Sequence, residues 1–371
     1  MLAAGTGAQA SFSAITIGVP VLAPTLRSHY DLSLRQIGVV LAAQWVGTTL
    51  TLLPWGLLAD RVGERLALVL GLAGCCAMLV ALAFAPGFAT VVLFLTAAGA
   101  SGASVQSASG RAVMHWFAAD ERGLALGIRQ TAIPLGGVAS ALVLPHLGLE
   151  TAFLFLAALV LLGALAGGAL IRERVVEGVE REAVPWTLRD GRLWRLSFGS
   201  GLYLVAQLAI TGFVVLFLHE DRGVSDAGAA AVLAAIQVLA VGTRIGSGRW
   251  SDAVGTRIVP LLRIGVASFA TVALVAALVH APLVFLVPAL VVAGGLTMAW
   301  NGLSLTAAAE LAGQARSGAA IGFQQTVLSL LGVLTPIGFA AAVADTSWRA
   351  AFALSALFPL AGVFALRRLR I

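Results

Sequence analysis

Charge is what this 371-residue chain has least of: 11% of its residues are charged against 60% hydrophobic, and the mean hydropathy is +0.98. A soluble domain carries about 25% charged residues, so this composition cannot coat a water-facing surface. Lysine is absent altogether. All 23 cations are arginines, which excludes a lysine Schiff base and a phosphate-loop lysine. The two cysteines, Cys75 and Cys76, are adjacent inside an apolar run and read as small hydrophobes. No metal-ligand spacing, nucleotide loop or Ser/His/Asp set appears, so neither a cofactor nor an enzyme activity is expected. The ten-residue alternating stretches of an outer-membrane barrel are missing. Arginine-rich arms with interleaved aromatics are missing too, so a pI of 10.8 does not point to nucleic acid.

What is present is apolar sequence in pieces of about 20 residues, the length a helix needs to cross about 30 Å of hydrocarbon. Twelve spans are predicted, near 5–27, 36–59, 66–86, 89–114, 122–145, 151–171, 194–218, 227–250, 257–280, 283–307, 316–343 and 348–366. This is an all-α membrane protein made of two six-helix halves, residues 1–172 and 194–371, joined by a polar linker at 173–193. The first residues already read as a spanning helix, with no charged n-region or cleavage site of a removable signal peptide. If both termini share one side, 16 arginines fall on that side and four (Arg27, Arg35, Arg222 and Arg349) on the other. The positive-inside rule then puts the termini and linker in the cytoplasm of a multi-pass cell-membrane protein.

Two motifs repeat at nearly constant offset. GLLADRVGER, at Gly56 to Arg65, recurs as GRWSDAVGTR, at Gly248 to Arg257; GIRQT, at Gly127 to Thr131, recurs as GFQQT, at Gly322 to Thr326. Parallel repeats of this kind usually hold a substrate site midway down, between the halves. In these motifs the chain resembles the major facilitator superfamily of secondary transporters. The G-x-x-x-D-R-x-G-x-R loop signature stands at Gly56, Asp60, Arg61, Gly63 and Arg65. The second copy keeps Gly248, Asp252, Gly255 and Arg257 but has Ala253 in place of the first arginine. The resemblance implies a twelve-helix monomer that alternates between inward- and outward-open states. In it, Asp60 and Asp252, with Arg61, Arg65, Arg122 and Arg257, act as latches of a cytoplasmic gate; the bland alternative is that they only set topology. The motif glycines allow a tight turn and close helix approach.

All 17 carboxylates and all five histidines fall in loops or at helix ends. The depth of the membrane instead holds arginine. Arg129 and Arg244 lie roughly 10–12 Å inward from the cytoplasmic helix ends, at about the same depth. The resemblance makes their helices neighbours across the interface. Two like charges at that depth are costly and favour an anion between them. The spacing of Arg244 to Asp252 is similar to that in the superfamily's anion porters for nitrate, oxalate and monocarboxylates, although the second-helix arginine of the nitrate porters is lacking. Gln324 and Gln325 answer Arg129 and Gln130 in the repeat. These four, with Arg244, Gln44, Tyr203, Gln207 and Asn301, are the candidate substrate contacts; a structural hydrogen bond is the alternative for each. Arg111 reads as a brace of the fourth helix, and Trp45, Trp55 and Trp300 as cavity floor or packing. The expected partner is a small anion in a lipid-embedded carrier, with or without a coupling proton. The competing expectation is a proton-driven exporter of amphipathic drugs.

Overall fold

The computed structural model describes residues 2–116, 129–170, 190–313 and 316–369. Arg122, linker residues 173–189 and the side chains of Asp60 and Arg111 lie outside the described residues. The helices are α1 (Leu2–Val21, continued after a bend by Ala23–His29), α2 (Leu34–Val62), α3 (Glu64–Ala83), α4 (Phe88–Trp116), α5 (Ala132–Val143) and α6 (Leu149–Leu170). They continue with α7 (Gly191–Glu220), α8 (Asp226–Val254), α9 (Ile258–Leu278), α10 (Leu283–Thr297 and Asn301–Ala312), α11 (Ser317–Asp345) and α12 (Trp348–Leu366). Ten are long and apolar enough to cross a membrane unaided, and the bent pair of α1 makes an eleventh. The described part of α5 is shorter and closes with a 3-10 turn at Leu144–His146.

Local chemistry sets the helix boundaries. Ser33 and Gln36 form a capping box at the start of α2, while Asp190, Ser225 and Ser347 accept the first free N–H groups of α7, α8 and α12. Gly63 and Gly255, the paired motif glycines, both sit at positive φ (90° and 70°) in the turns after α2 and α8. A side chain at either would be strained, which explains the tight-turn half of the motif. Its other half is not observed. No described atom lies within 4 Å of a Cβ built on Gly56 or Gly248, so neither glycine is required by a close approach here.

Two spans are not straight. In α1 the chain bends by 56° between Val21 and Ala23, flanked by Pro20 and Pro24, which cannot donate to the helical ladder. α10 is interrupted at Met298–Trp300, where the N–H groups of Met298 and Ala299 reach back only three residues, to Gly295 and Leu296.

α1 to α6 pack among themselves, as do α7 to α12. The two groups meet along α2 with α11 and α5 with α8, with α1 against α7 between those seams. Outward-facing leucines such as Leu161, Leu162 and Leu165 of α6 remain exposed, as an apolar solvent requires. The face from which α1 starts is called the terminal face below, and the opposite one the far face.

Candidate functional site

A cavity of about 110 Å³ lies where the two groups meet, lined from α1, α2, α4, α7, α10 and α11 and from Arg129, Gln130 and Ile133 at the start of α5. α1 contributes a polar stripe: Gln9, Ser13 and Thr16 recur at helical spacing on one face. Gln207 and Thr211 of α7, Asn301 after the break in α10 and Gln325 of α11 face them. The broken turn gives Asn301 its partners: its Nδ2 donates to Gln207 Oε1 at 3.0 Å and to the Met298 carbonyl at 3.2 Å.

Arg129 is 4% exposed and lines the cavity. Its Nη2 donates to the Gln106 carbonyl at 3.1 Å and to Gln9 Oε1 at 3.3 Å, which ties α5 to α4 and α1. Arg244 is 8% exposed and stands one layer behind, its Nη1 donating to the Gln130 carbonyl at 2.5 Å. Its Nε and Nη2 are buried with no hydrogen-bond partner among the described residues. Arg129 lines the cavity and Arg244 does not, so the two guanidiniums expected to face one cavity are not both brought to it. Each buried N–H left unmade costs about 1–3 kcal/mol, and more when the group is charged. No carboxylate or histidine is among the described residues lining the cavity.

Of the other candidates, Gln130, Gln207, Asn301 and Gln325 line the cavity, and Gln44, Tyr203 and Gln324 do not. Gln44 Nε2 donates to Thr16 Oγ1 at 2.9 Å and supports the wall from behind. Tyr203 is fully buried, with its hydroxyl on the Leu261 carbonyl at 3.1 Å. Gln324 turns to α10 and donates to Ser304 Oγ at 2.5 Å, because one helical step of about 100° separates its direction from that of Gln325. Among the tryptophans, Trp45 lines the cavity, Trp55 donates to the Ala100 carbonyl and Trp300 packs against Tyr203.

On the terminal face, Arg257 pairs with Asp252, whose partner lies five residues away, and its Nε meets Glu310 Oε1 at 3.1 Å. Burial alone would lower the pKa of Arg257, but the two carboxylates more than offset that and hold it raised. This knot ties the ends of α8, α9 and α10 together. It does not cross between the two helix groups, so the Asp252 side of the expected gate is occupied within its own group. Arg61 and Arg65 of the first copy are exposed.

Ion pairs that do cross lie on the far face. Arg27 pairs with Glu220 and Arg35 with Asp345, joining α1 to α7 and α2 to α11. Sequence reasoning counted these arginines only for topology. Separations of 193 and 310 residues leave no local signal by which to find such pairs.

A helical membrane body with a polar, arginine-bearing cavity between two helix groups defines a transporter, not an enzyme. The family follows from comparison. The model of the Major Facilitator Superfamily matches residues 5–336, and the chain belongs to that superfamily of secondary transporters, which take small-molecule substrates. It is 33% identical over 364 residues to the uncharacterized MFS-type transporter Rv2994 of Mycobacterium tuberculosis, covering 96% of this chain and 82% of that one. An uncharacterized transporter of Bacillus subtilis, YybO, is 30% identical over 125 residues, 34% of this chain and 29% of that one. The fold is also that of the human organic anion transporter MFSD10 (TM-score 0.78, 17% identity, 98% and 97% of the chains covered). A bacterial homolog of the human lysosomal transporter Spinster, in an inward-facing and occupied conformation, shares it as well (TM-score 0.74, 18% identity, 99% and 94% covered).

Proposed function

We propose that this chain moves a small anion, an organic carboxylate or a similar oxyanion, across the cell membrane by alternating access. Residues 1–172 and 194–371 are the rocking halves, residues 173–193 join them, and both termini are cytoplasmic. One observation carries the reading: a guanidinium in the cavity wall backed by a second, Arg244, buried with two nitrogens unpartnered. A cation at such depth costs about 2.5 kcal/mol or more, and the forked donors of arginine suit the paired oxygens of a carboxylate. The cavity of about 110 Å³ is small for a drug-sized ligand. Drug-sized ligands occupy pockets of about 300–1,000 Å³. With no acid in the lining, the modes that fit are exchange, uniport, or symport in which the proton rides on the substrate. With the termini inside, the far-face ion pairs close the outer side. Solved relatives of this fold include an organic anion transporter and a nucleoside transporter, so the substrate is argued from residues, not from the fold.

Thermal-shift screening of the purified protein against lactate, oxalate and benzoate selects the anion for uptake assays, since a ligand of the folded form stabilises it. In proteoliposomes, Arg244→Gln is expected to reduce uptake of that anion to background while the protein stays monodisperse; uptake at the parent rate overturns the anion site. The apolar part of the wall, Phe12, Ile17, Trp45, Leu204 and Leu208, favours a second reading as a proton-driven exporter of amphipathic drugs. Proton-gradient-driven ethidium efflux would support that reading against the first.

A further inference from the structure

Arg244 is not the only unsatisfied polar group on α8. Gln237, seven residues earlier, is 0% exposed, and both its Oε1 and its Nε2 lack a hydrogen-bond partner among the described residues. Seven residues make two helical turns to within about 20°, so Gln237 and Arg244 share one face about 10 Å apart, with Gln237 nearer the far face. That face lies against α5. Opposite Gln237 the chain has Gly137, where an added Cβ would come within 2.9 Å of the amide's Cγ and Cδ and 3.2 Å of Ile17. Ile17 itself lines the cavity. The amide is therefore sealed into the seam between the two helix groups, one side chain away from the lumen. Residues whose only role is to pack such a seam are apolar, because burying both ends of an amide unpaired is costly.

The far-face ion pairs, from α1 to α7 and from α2 to α11, hold the two helix groups together on that side in the present arrangement. We propose that Gln237 is a substrate contact of the opposite state: when the groups part on the far side, α8 lifts from Gly137 and the amide enters the widened cavity in line with Arg244. There its N–H donates to an oxygen of the entering carboxylate or, in the empty carrier, to water. Closing the seam again strips that hydrogen bond from Gln237 and hands the anion on to the arginines. The inference rests on the anion reading above for its ligand but not for its motion, so the two can fail separately.

Accessibility tests the motion without any ligand. In a background with Cys75 and Cys76 replaced by serine, Gln237→Cys in right-side-out proteoliposomes should react with a membrane-impermeant maleimide added outside. Val238→Cys, whose side chain is 61% exposed on the lipid face, should stay unlabelled. Absence of labelling at Gln237→Cys overturns the proposal. Side-specific kinetics test the contact: for the anion chosen by thermal shift, Gln237→Leu should raise the external KM by about tenfold, the worth of one hydrogen bond to a charged group, and leave the internal KM unchanged. A purely structural role would move both together, and equal changes or none overturn the assignment. Should Arg244→Gln transport normally while Gln237→Cys still labels, the anion reading fails and the motion stands.

Discussion

Arg244 is held at the Gln130 carbonyl, a neutral oxygen, while Arg129 donates to Gln9 and to the Gln106 carbonyl. Charge held by dipoles stays available to a visiting anion, whereas a fixed carboxylate would cancel it. The terminal-face knot shows the contrast, since Arg257 is committed to Asp252 and Glu310. Asp190 offers a test at the same scale. Burial alone would push its carboxyl up, but the bonds from Arg192 outweigh this and hold it below the ordinary carboxylate range. A depressed carboxylate stabilises the fold above its unfolded pKa of about 3.9, and that contribution disappears as pH falls through the folded value. Asp190→Ala should cost about 1 kcal/mol at pH 7 as a lost helix cap. Thermal melts of parent and variant should converge once the pH is taken below the carboxylate range; a gap that persists there would rule the linkage out. The α1 stripe of Gln9, Ser13 and Thr16 was not among the expected contacts, although its helical spacing is a signal the sequence carries. The turn of Gln324 away from the cavity was not legible there, because a repeat alignment carries no azimuth.

Among the elements, α2 and α11 make the closest seam between the groups. A Cβ on Gly38 would meet the Pro336 carbonyl at 2.7 Å and Ala340 Cβ at 2.6 Å, while Gly332 accepts the ring of Trp45. Backbone at that distance cannot yield as a side chain can, so a bulky residue must hold the helices apart. Gly38→Leu is expected to keep the carrier folded, since α2 still packs on α4, yet to slow exchange of the selected anion about tenfold or more by blocking far-side closure. Parent-like exchange with an inserted, monodisperse protein would show that this seam does not close during transport. Apart from the expected start of the fifth span at 122, which lies outside the described residues, the helix boundaries came within a few residues of their expected places because hydropathy and caps are local. The break in α10 was not foreseen: Asn301 faces the cavity only because the turn before it is unwound.

For the whole molecule, opening is a change in the balance between two packings. Arg27–Glu220 and Arg35–Asp345 are partly exposed, the second pair 63% and 58%. Pairs of this kind are worth about 0.2–1 kcal/mol each. Weak ties suit a gate that must reopen on every cycle, since a stronger lock would have to be broken by differential substrate binding. Removing both, as Arg27→Ala with Arg35→Ala, should shift the balance toward the far-side-open state by roughly two- to thirtyfold. Spin labels on Ser28 and Thr346 in a cysteine-free background should report a longer-distance population in the double variant; an unchanged distribution would mean that packing alone sets the balance.

Some of this protein's character is written in its residues one after another. Span number, all-helical class, the two motif repeats and the burial of arginine in place of acid follow from local hydropathy and spacing, which the bilayer converts directly into helices. Which cations tie the far face, which face of each helix meets the cavity, and why Gln237 lies opposite a glycine depend on pairs up to 310 residues apart. Only the packed molecule decides those, because helix azimuth and inter-group register are set by the fit of all surfaces at once and not by any one segment.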